Sequence, residues 1–324
     1  MFTLIQLQEF ISEKIQSLNL DKEPKGLYEP ISYTLVSGGK RIRPALVLAA
    51  CNMFSEKIEP AIPVALAFEV FHNFTLLHDD IMDNSPIRRN KETVHEKWNQ
   101  NTAILSGDAM MIEAYEFLTE LPAGLLKNIL KLFNKTALEV CEGQQYDMDF
   151  ETKEIVSEED YLNMIKLKTS VLIAAALKAG AICGGASDTD ADLLYDFGLN
   201  IGLAFQIQDD LLDTYADTAV FGKKNGNDII TGKKTFLLIN ALQKADFKTF
   251  EKLRNLIKNK EIDVEEKIQS VIRIYNELNI RDLTENKIKE YHQKTLTYLD
   301  NVSCKDDRKE ELLIFASQIL KREK

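Results

Sequence analysis

Apolar residues recur at helical spacing almost from the start of the chain. Leu4, Leu7, Phe10, Ile11 and Ile15 fall on one face of a helix, as do Val64, Ala67, Phe68 and Phe71, because positions three and four apart lie on the same side of a 3.6-residue turn. No run alternates apolar and polar residues as a half-buried strand would. Stops between the helical runs are legible at Gly38–Gly39, Ser85–Pro86 and Gly184–Gly185, where glycine and proline interrupt helices. From about Ala245 the apolar stripe thins and Lys and Glu dominate, the pattern of surface helices packed on a core. The expected fold is all-α, a single large helical bundle over residues 1–324, since no Pro/Gly/Ser-rich linker divides the chain.

Composition narrows the partners. With 45% hydrophobic and 28% charged residues, the chain can bury a substantial core and remain soluble. A net charge of -11 argues against a nucleic-acid partner, yet leaves phosphorylated substrates open, because cations can be gathered locally. The cysteines Cys51, Cys141, Cys183 and Cys304 are scattered without metal-binding spacing and read as reduced, mostly buried thiols. The stretch MFTLIQLQEFISEK lacks a basic n-region and is broken by Gln and Glu, so it does not read as a secretory signal. The apolar run from Val171, VLIAAALKAGAICGGA, falls short of a membrane span and carries Lys178. A cytoplasmic protein without a transmembrane segment is expected.

Candidate chemistry lies in two aspartate-rich echoes. FHNFTLLHDDIMDNSPIRRN holds Asp79, Asp80 and Asp83, and GLAFQIQDDLLDTYAD repeats the spacing at Asp209, Asp210 and Asp213. On a helix, residues i and i+4 stack on one face, so Asp79 with Asp83 and Asp209 with Asp213 form like-charged pairs that repel unless a cation sits between them. Hard divalent cations such as Mg²⁺ take oxygen ligands and share carboxylates with substrate phosphates. Two such pairs facing each other would hold a cluster of ions and a diphosphate. One copy alone would read equally well as a solvated helix end; two inside apolar helices favour ligation. Arg88 and Arg89 follow a Ser-Pro turn, with guanidinium donors suited to phosphate oxygens. In GGKRIRP, Lys40 and Arg43 lie at a predicted helix start with Pro44 in its first turn, a natural anion site. His72 lies nearly on the face of Asp79, though a lone histidine on an apolar helix is commonly a core residue.

Taken together, the two motifs, the arginine pair, GGKRIRP, LKTS, the FQ before the second motif and GKKNGNDIITGKKT resemble the trans-isoprenyl diphosphate synthases, the polyprenyl synthetase family, in the right order from Gly38 to Thr235. The resemblance implies a bundle of the isoprenoid synthase type with a central cavity, commonly homodimeric. It implies Mg²⁺, about three ions per site, on Asp79, Asp80, Asp83, Asp209, Asp210 and Asp213. By the same resemblance, Lys40, Arg43, His72 and Arg89 bind isopentenyl diphosphate, while Arg88, Lys223 and Lys233 bind the allylic diphosphate (dimethylallyl, geranyl or farnesyl). Lys168, Thr169 and Gln206 face that diphosphate and the developing cation, joining Asp79, Asp83 and Asp209 in catalysis. Two positions depart from the family: Asn90 replaces the usual Gly but tolerates a left-handed backbone, and Leu237 replaces a usual Pro. The implied reaction is head-to-tail prenyl transfer. A terpene cyclase would lack the isopentenyl-binding set, and a non-catalytic synthase subunit should have lost part of a motif.

Product length turns on Phe74 and Thr75, five and four residues before Asp79. Some twenty-carbon synthases similarly carry an aromatic at the fifth position only, so the resemblance implies geranylgeranyl diphosphate, with farnesyl diphosphate as the alternative. Helix geometry alone does not decide it: Thr75 sits beneath Asp79, whereas Phe74 lies roughly 140° round.

Overall fold

The computed structural model describes residues 1–215, 226–259 and 261–320. Its helices are α1 (Leu4–Gln16), α2 (Lys25–Val36), α3 (Ile42–Phe54), α4 (Ile62–Met82), α5 (Val94–Lys97), α6 (Gln100–Thr119), α7 (Ala123–Thr152), α8 (Glu158–Ile165), α9 (Val171–Cys183) and α10 (Asp188–Tyr215). They continue with α11 (Asn227–Thr231), α12 (Phe236–Lys244), α13 (Phe247–Lys258), α14 (Val264–Glu277), α15 (Ile280–Asp300) and α16 (Glu310–Leu320). A π-helical turn, Lys166–Ser170, joins α8 to α9. The all-α expectation holds, apart from one two-stranded hairpin of Ile87–Arg88 (β1) and Lys91–Glu92 (β2). The hairpin follows from its turn: Arg89 and Asn90 both adopt positive φ, 52° and 61°, as a tight two-residue I′ connection requires. Asn90 therefore does what its substitution for glycine suggested.

Two compact units divide the chain. The first comprises residues 1–134, 175–194 and 303–311, and the second residues 135–174, 195–302 and 312–324.

In the first unit, α3 and α4 are the buried helices. Every residue from Pro44 to Met53 is buried, and α4 buries Val64, Ala67, Phe68 and Phe71, the stripe predicted from periodicity. Phe68 and Phe71 meet Phe133 edge-on at 5.6 and 5.2 Å, the favoured aromatic geometry. Glu59–Met82 is, among the described residues, the segment long and apolar enough to cross a membrane by length and composition; 61% of its apolar window is buried within the protein, as in a core helix. Helix α1 starts in a capping box between Thr3 and Gln6 and buries Leu4, Leu7, Ile11 and Ile15.

In the second unit, Tyr161, Ile207, Phe236, Leu253, Val271 and Tyr275 belong to one buried cluster. Helix α13 buries Leu253 alone, the thin stripe read from the sequence after Ala245. Cys183 and Cys304 are partly buried. Only Cys51 is buried, and Cys141 is exposed, fewer buried thiols than the sequence suggested.

Candidate active site

The first unit sets its motif at the end of α4. Asp79, Asp80 and Asp83 occupy the last turn and C-cap, and that turn contains no basic residue. Carboxylates at a helix C-terminus face the negative end of the dipole, so this placement is favourable only with external cations. Asp83 is exposed and Asp79 partly so, whereas Asp80 is buried. Arg88 on β1 donates from Nε to Asp80 Oδ1 at 2.7 Å. Burial pushes the Asp80 carboxyl up from its ordinary range and Arg88 opposes the shift.

Arg43, in the first turn of α3, is half-buried, and desolvation lowers its guanidinium to about 10. Its Nη1 lies 3.0 Å from His72 Nε2. Because arginine can only donate, Nε2 accepts and the imidazole proton sits on Nδ1. Burial first, then the charges of Arg43, Arg89, Arg88 and Arg41, hold His72 well below its usual pKa, so the ring is neutral. Arg43 Nε is buried with no hydrogen-bond partner among the described residues, an unmet donor in a site rich in positive charge. Arg41 is spoken for by a buried ion pair with Glu69. Arg89 donates to the Gly38 carbonyl and its guanidinium lies against Gly39, where a Cβ would come within 2.9 Å. Gly39 also has φ +133°, a conformation other residues avoid. Lys40 is exposed, and its backbone carbonyl accepts from Gln8 Nε2 at 2.5 Å.

In the second unit, the π-helical turn carries LKTS. Such turns recur at functional sites, and here one presents Lys168 and Thr169 side by side. Lys168 Nζ donates to Asp147 Oδ2 at 2.6 Å. Thr169 Oγ1 donates to Gln206 Oε1 at 3.2 Å, and Gln206 Nε2 donates to Asp210 Oδ1 at 3.3 Å. Tyr161 donates its hydroxyl to the other Asp210 oxygen at 2.5 Å. Asp210 thus receives two donors, which keeps it an acceptor although burial pushes its pKa up. The same string fixes the Gln206 amide with its oxygen toward Thr169. Asp209 and Asp213 are partly exposed. Asp213 accepts the backbone N–H of Asp228 at 2.9 Å, and Lys233 donates its own N–H to the Asp228 carbonyl at 2.9 Å. Asp228 is raised to about 7 by burial, opposed by Lys233 and reinforced by Asp210, Asp213 and Asp147. Lys223 lies outside the described residues.

Asp147, Tyr161 and Asp228 were not singled out in the sequence. Gly143, in the interior of α7, is the signal that could have led to Asp147: a Cβ there would lie 2.2 Å from the Lys168 backbone nitrogen, and an isolated glycine inside a helix commonly marks a close approach.

The donor set suits Mg²⁺. Among the described residues no three His, Cys, Asp or Glu side chains form a ready metal cage. Mg²⁺ keeps several waters and binds through one or two carboxylates plus substrate phosphates, which is what Asp79 with Asp83, and Asp209 with Asp213, can offer.

Paired aspartates and partly buried cations in this order on a helical scaffold are the features a prenyl-diphosphate enzyme needs. The polyprenyl synthetase family model matches residues 24–275. The geranylgeranyl diphosphate synthase of Methanosarcina mazei is 46% identical over 224 residues, 68% of this chain and 69% of that one. The short chain isoprenyl diphosphate synthase of Methanothermobacter thermautotrophicus is 36% identical over 99% of this chain and 98% of its own. A crystal structure of a geranylgeranyl pyrophosphate synthase superposes with a TM-score of 0.94 at 43% identity, covering 99% of both chains. The chain belongs to the polyprenyl synthetase family. It is a short-chain trans-prenyltransferase that joins isopentenyl diphosphate to an allylic diphosphate.

Proposed function

We propose that the product is geranylgeranyl diphosphate, made in the cytoplasm by a homodimer that uses about three Mg²⁺ ions per site. The observation that carries the product length is the seating of Phe74. Its ring packs 4.7 Å from His78 and 5.6 Å from Phe71, while Thr75 turns its hydroxyl back to the His72 carbonyl at 2.8 Å. One bulky ring, rather than two, therefore occupies these two positions in the turn of α4 that precedes Asp79. Phe74→Ala is expected to lengthen products by one five-carbon unit, at a stability cost of about 3 kcal/mol. Chromatography of the dephosphorylated alcohols reads the result; unchanged products from folded protein would place the floor elsewhere.

In the proposed mechanism Arg88, Lys168, Lys223 and Lys233 hold the allylic diphosphate, with Asp79, Asp80, Asp83, Asp209, Asp210 and Asp213 as the metal-binding carboxylates. Bound Mg²⁺ would neutralise the charge growing on the leaving diphosphate. The Gln206 carbonyl and the Thr169 hydroxyl face the allylic cation without trapping it. Lys40, Arg43, His72 and Arg89 hold isopentenyl diphosphate so that its double bond attacks, and the released diphosphate takes the proton. Arg43→Ala or His72→Ala should raise KM for isopentenyl diphosphate at least tenfold and leave the allylic KM within threefold, since uniform binding is lost. The reverse pattern would exchange the two pockets. Incubation with isopentenyl diphosphate and each allylic primer, with and without Mg²⁺, tests the whole reading: hydrocarbons or free phosphate in place of longer diphosphates would overturn it.

Support for the homodimer comes from α6, which exposes Ile104, Leu105 and Ile112, the last two at 60% and 63%. Apolar side chains clustered on one exposed helix face mark an interaction surface. Leu105→Glu should shift the mass measured by light scattering to that of one chain, and an unchanged mass would move the interface elsewhere.

A further inference from the structure

A cavity of about 350 Å³ in the second unit is untouched by the residues assigned above. Helices α12 and α13 wall it with Leu238, Leu242, Phe250 and Ile257, and the segment before α8 closes it with Ile155 and Val156. Its volume lies within the range of small-molecule sites and holds roughly a dozen non-hydrogen atoms at about 30 Å³ each. Ile155 stands at its lip, 73% exposed, where an apolar side chain gains nothing from water.

The rim is cationic. Lys234, Arg254 and Lys258 border the cavity with one carboxylate, Glu154. Glu154 is shared between Arg254 and Lys258, and Arg254 also meets Glu251 at 3.7 Å. Lys234 makes no ion pair among the described residues. Burial and the neighbouring Lys258 lower its pKa, so its ammonium is partly desolvated beside a like charge, a cost that an anion would relieve.

We propose that this pocket binds an amphiphilic anion, an apolar chain of about ten carbons in the cavity with a phosphate head held by Lys234, Arg254 and Lys258. A purely apolar ligand would leave Lys234 without a counter-charge and Arg254 and Lys258 sharing Glu154, and inorganic phosphate would leave the apolar walls wet. Linear and branched chains both satisfy the walls, so short prenyl phosphates belong to the same class. Lys234 follows Lys233 directly in the chain, and the Thr235 hydroxyl caps α12, a wall of the pocket, by accepting the Leu238 N–H at 3.3 Å.

Decyl phosphate is the probe, titrated into the full chain by calorimetry beside decanol and inorganic phosphate. Saturable binding of decyl phosphate is expected, at least tenfold tighter than either part. Leu242→Trp, which fills the cavity, and Lys234→Gln, which removes the unpaired cation, should each weaken it tenfold or more. Both variants should keep KM for the two diphosphate substrates within twofold. Lys234→Gln alters a partly exposed side chain, so it tests the site even if Leu242→Trp fails to fold. Absent binding, binding unaffected by Lys234→Gln, or equal binding of decanol would overturn the proposal. A weakening matched by an equal rise in substrate KM would assign the probe to the catalytic site and overturn it too.

Discussion

Asp79→Asn and Asp209→Asn are each expected to lower kcat by about a thousandfold or more, while the melting temperature stays within a few degrees of the parent. A thousandfold loss corresponds to about 4 kcal/mol of transition-state stabilisation. The change is nearly isosteric and removes one negative charge from a carboxylate pair whose partner lies one helical turn away. Stabilisation of this kind grows as charge accumulates on the leaving group, so kcat should fall together with kcat/KM. Retained stability follows from position: Asp79 closes the last turn of α4, where its backbone carbonyl accepts the Asp83 N–H at 2.8 Å, a bond that does not need the side-chain charge. Chain extension assayed with isopentenyl and allylic diphosphates at saturating Mg²⁺ measures it. Near-parental turnover by either folded variant would remove that aspartate set from the mechanism.

The sequence exposed those aspartates because they are local signals: two copies of one spacing, each ending a helical run. The arginine pair and the helix stops were legible for the same reason, and Asn90 revealed its left-handed backbone by standing where glycine is usual. The short hairpin around Arg89 escaped because two-residue strands have no periodicity to detect. Tyr161 and Asp228 were missed for a deeper reason. Tyr161 looks like any buried aromatic of α8 until the fold brings its hydroxyl to Asp210, 49 residues away. Asp228 looks like one acid in a polar loop until burial and three other carboxylates surround it. Such roles arise from tertiary approach, and no local pattern encodes them. The middle aspartates illustrate the same limit. Their spacing puts Asp80 and Asp210 among the metal-binding set, while the fold gives each a protein donor, Arg88 or Tyr161 with Gln206.

Gly143→Ala carries the second large expected effect. Taken as a helix residue alone, the change should stabilise, since alanine is favoured over glycine in helix interiors by about 1 kcal/mol. Its surroundings reverse the sign. The added methyl would lie 2.2 Å from the Lys168 nitrogen and 2.6 Å from its Cα, both backbone atoms of the π-helical turn, which cannot swing aside as a side chain tip would. Relief of such overpacking costs about 1–3 kcal/mol, so after the helix gain the net destabilisation is about 0–2 kcal/mol, and the turn must move away from α7. That displacement separates Lys168 from Asp147, one turn along from Gly143, and carries Thr169 away from Gln206. A shift of about 1 Å at a positioned group costs on the order of a hundredfold in rate, so kcat should fall by about that factor with only a few degrees lost in melting temperature. Gly124→Ala is the control, because that glycine is on the same helix and a methyl added there would meet nothing within 4 Å; it should keep full activity and gain slightly in stability. Full activity in Gly143→Ala would show that the LKTS turn tolerates displacement and that Lys168 acts without the Asp147 contact.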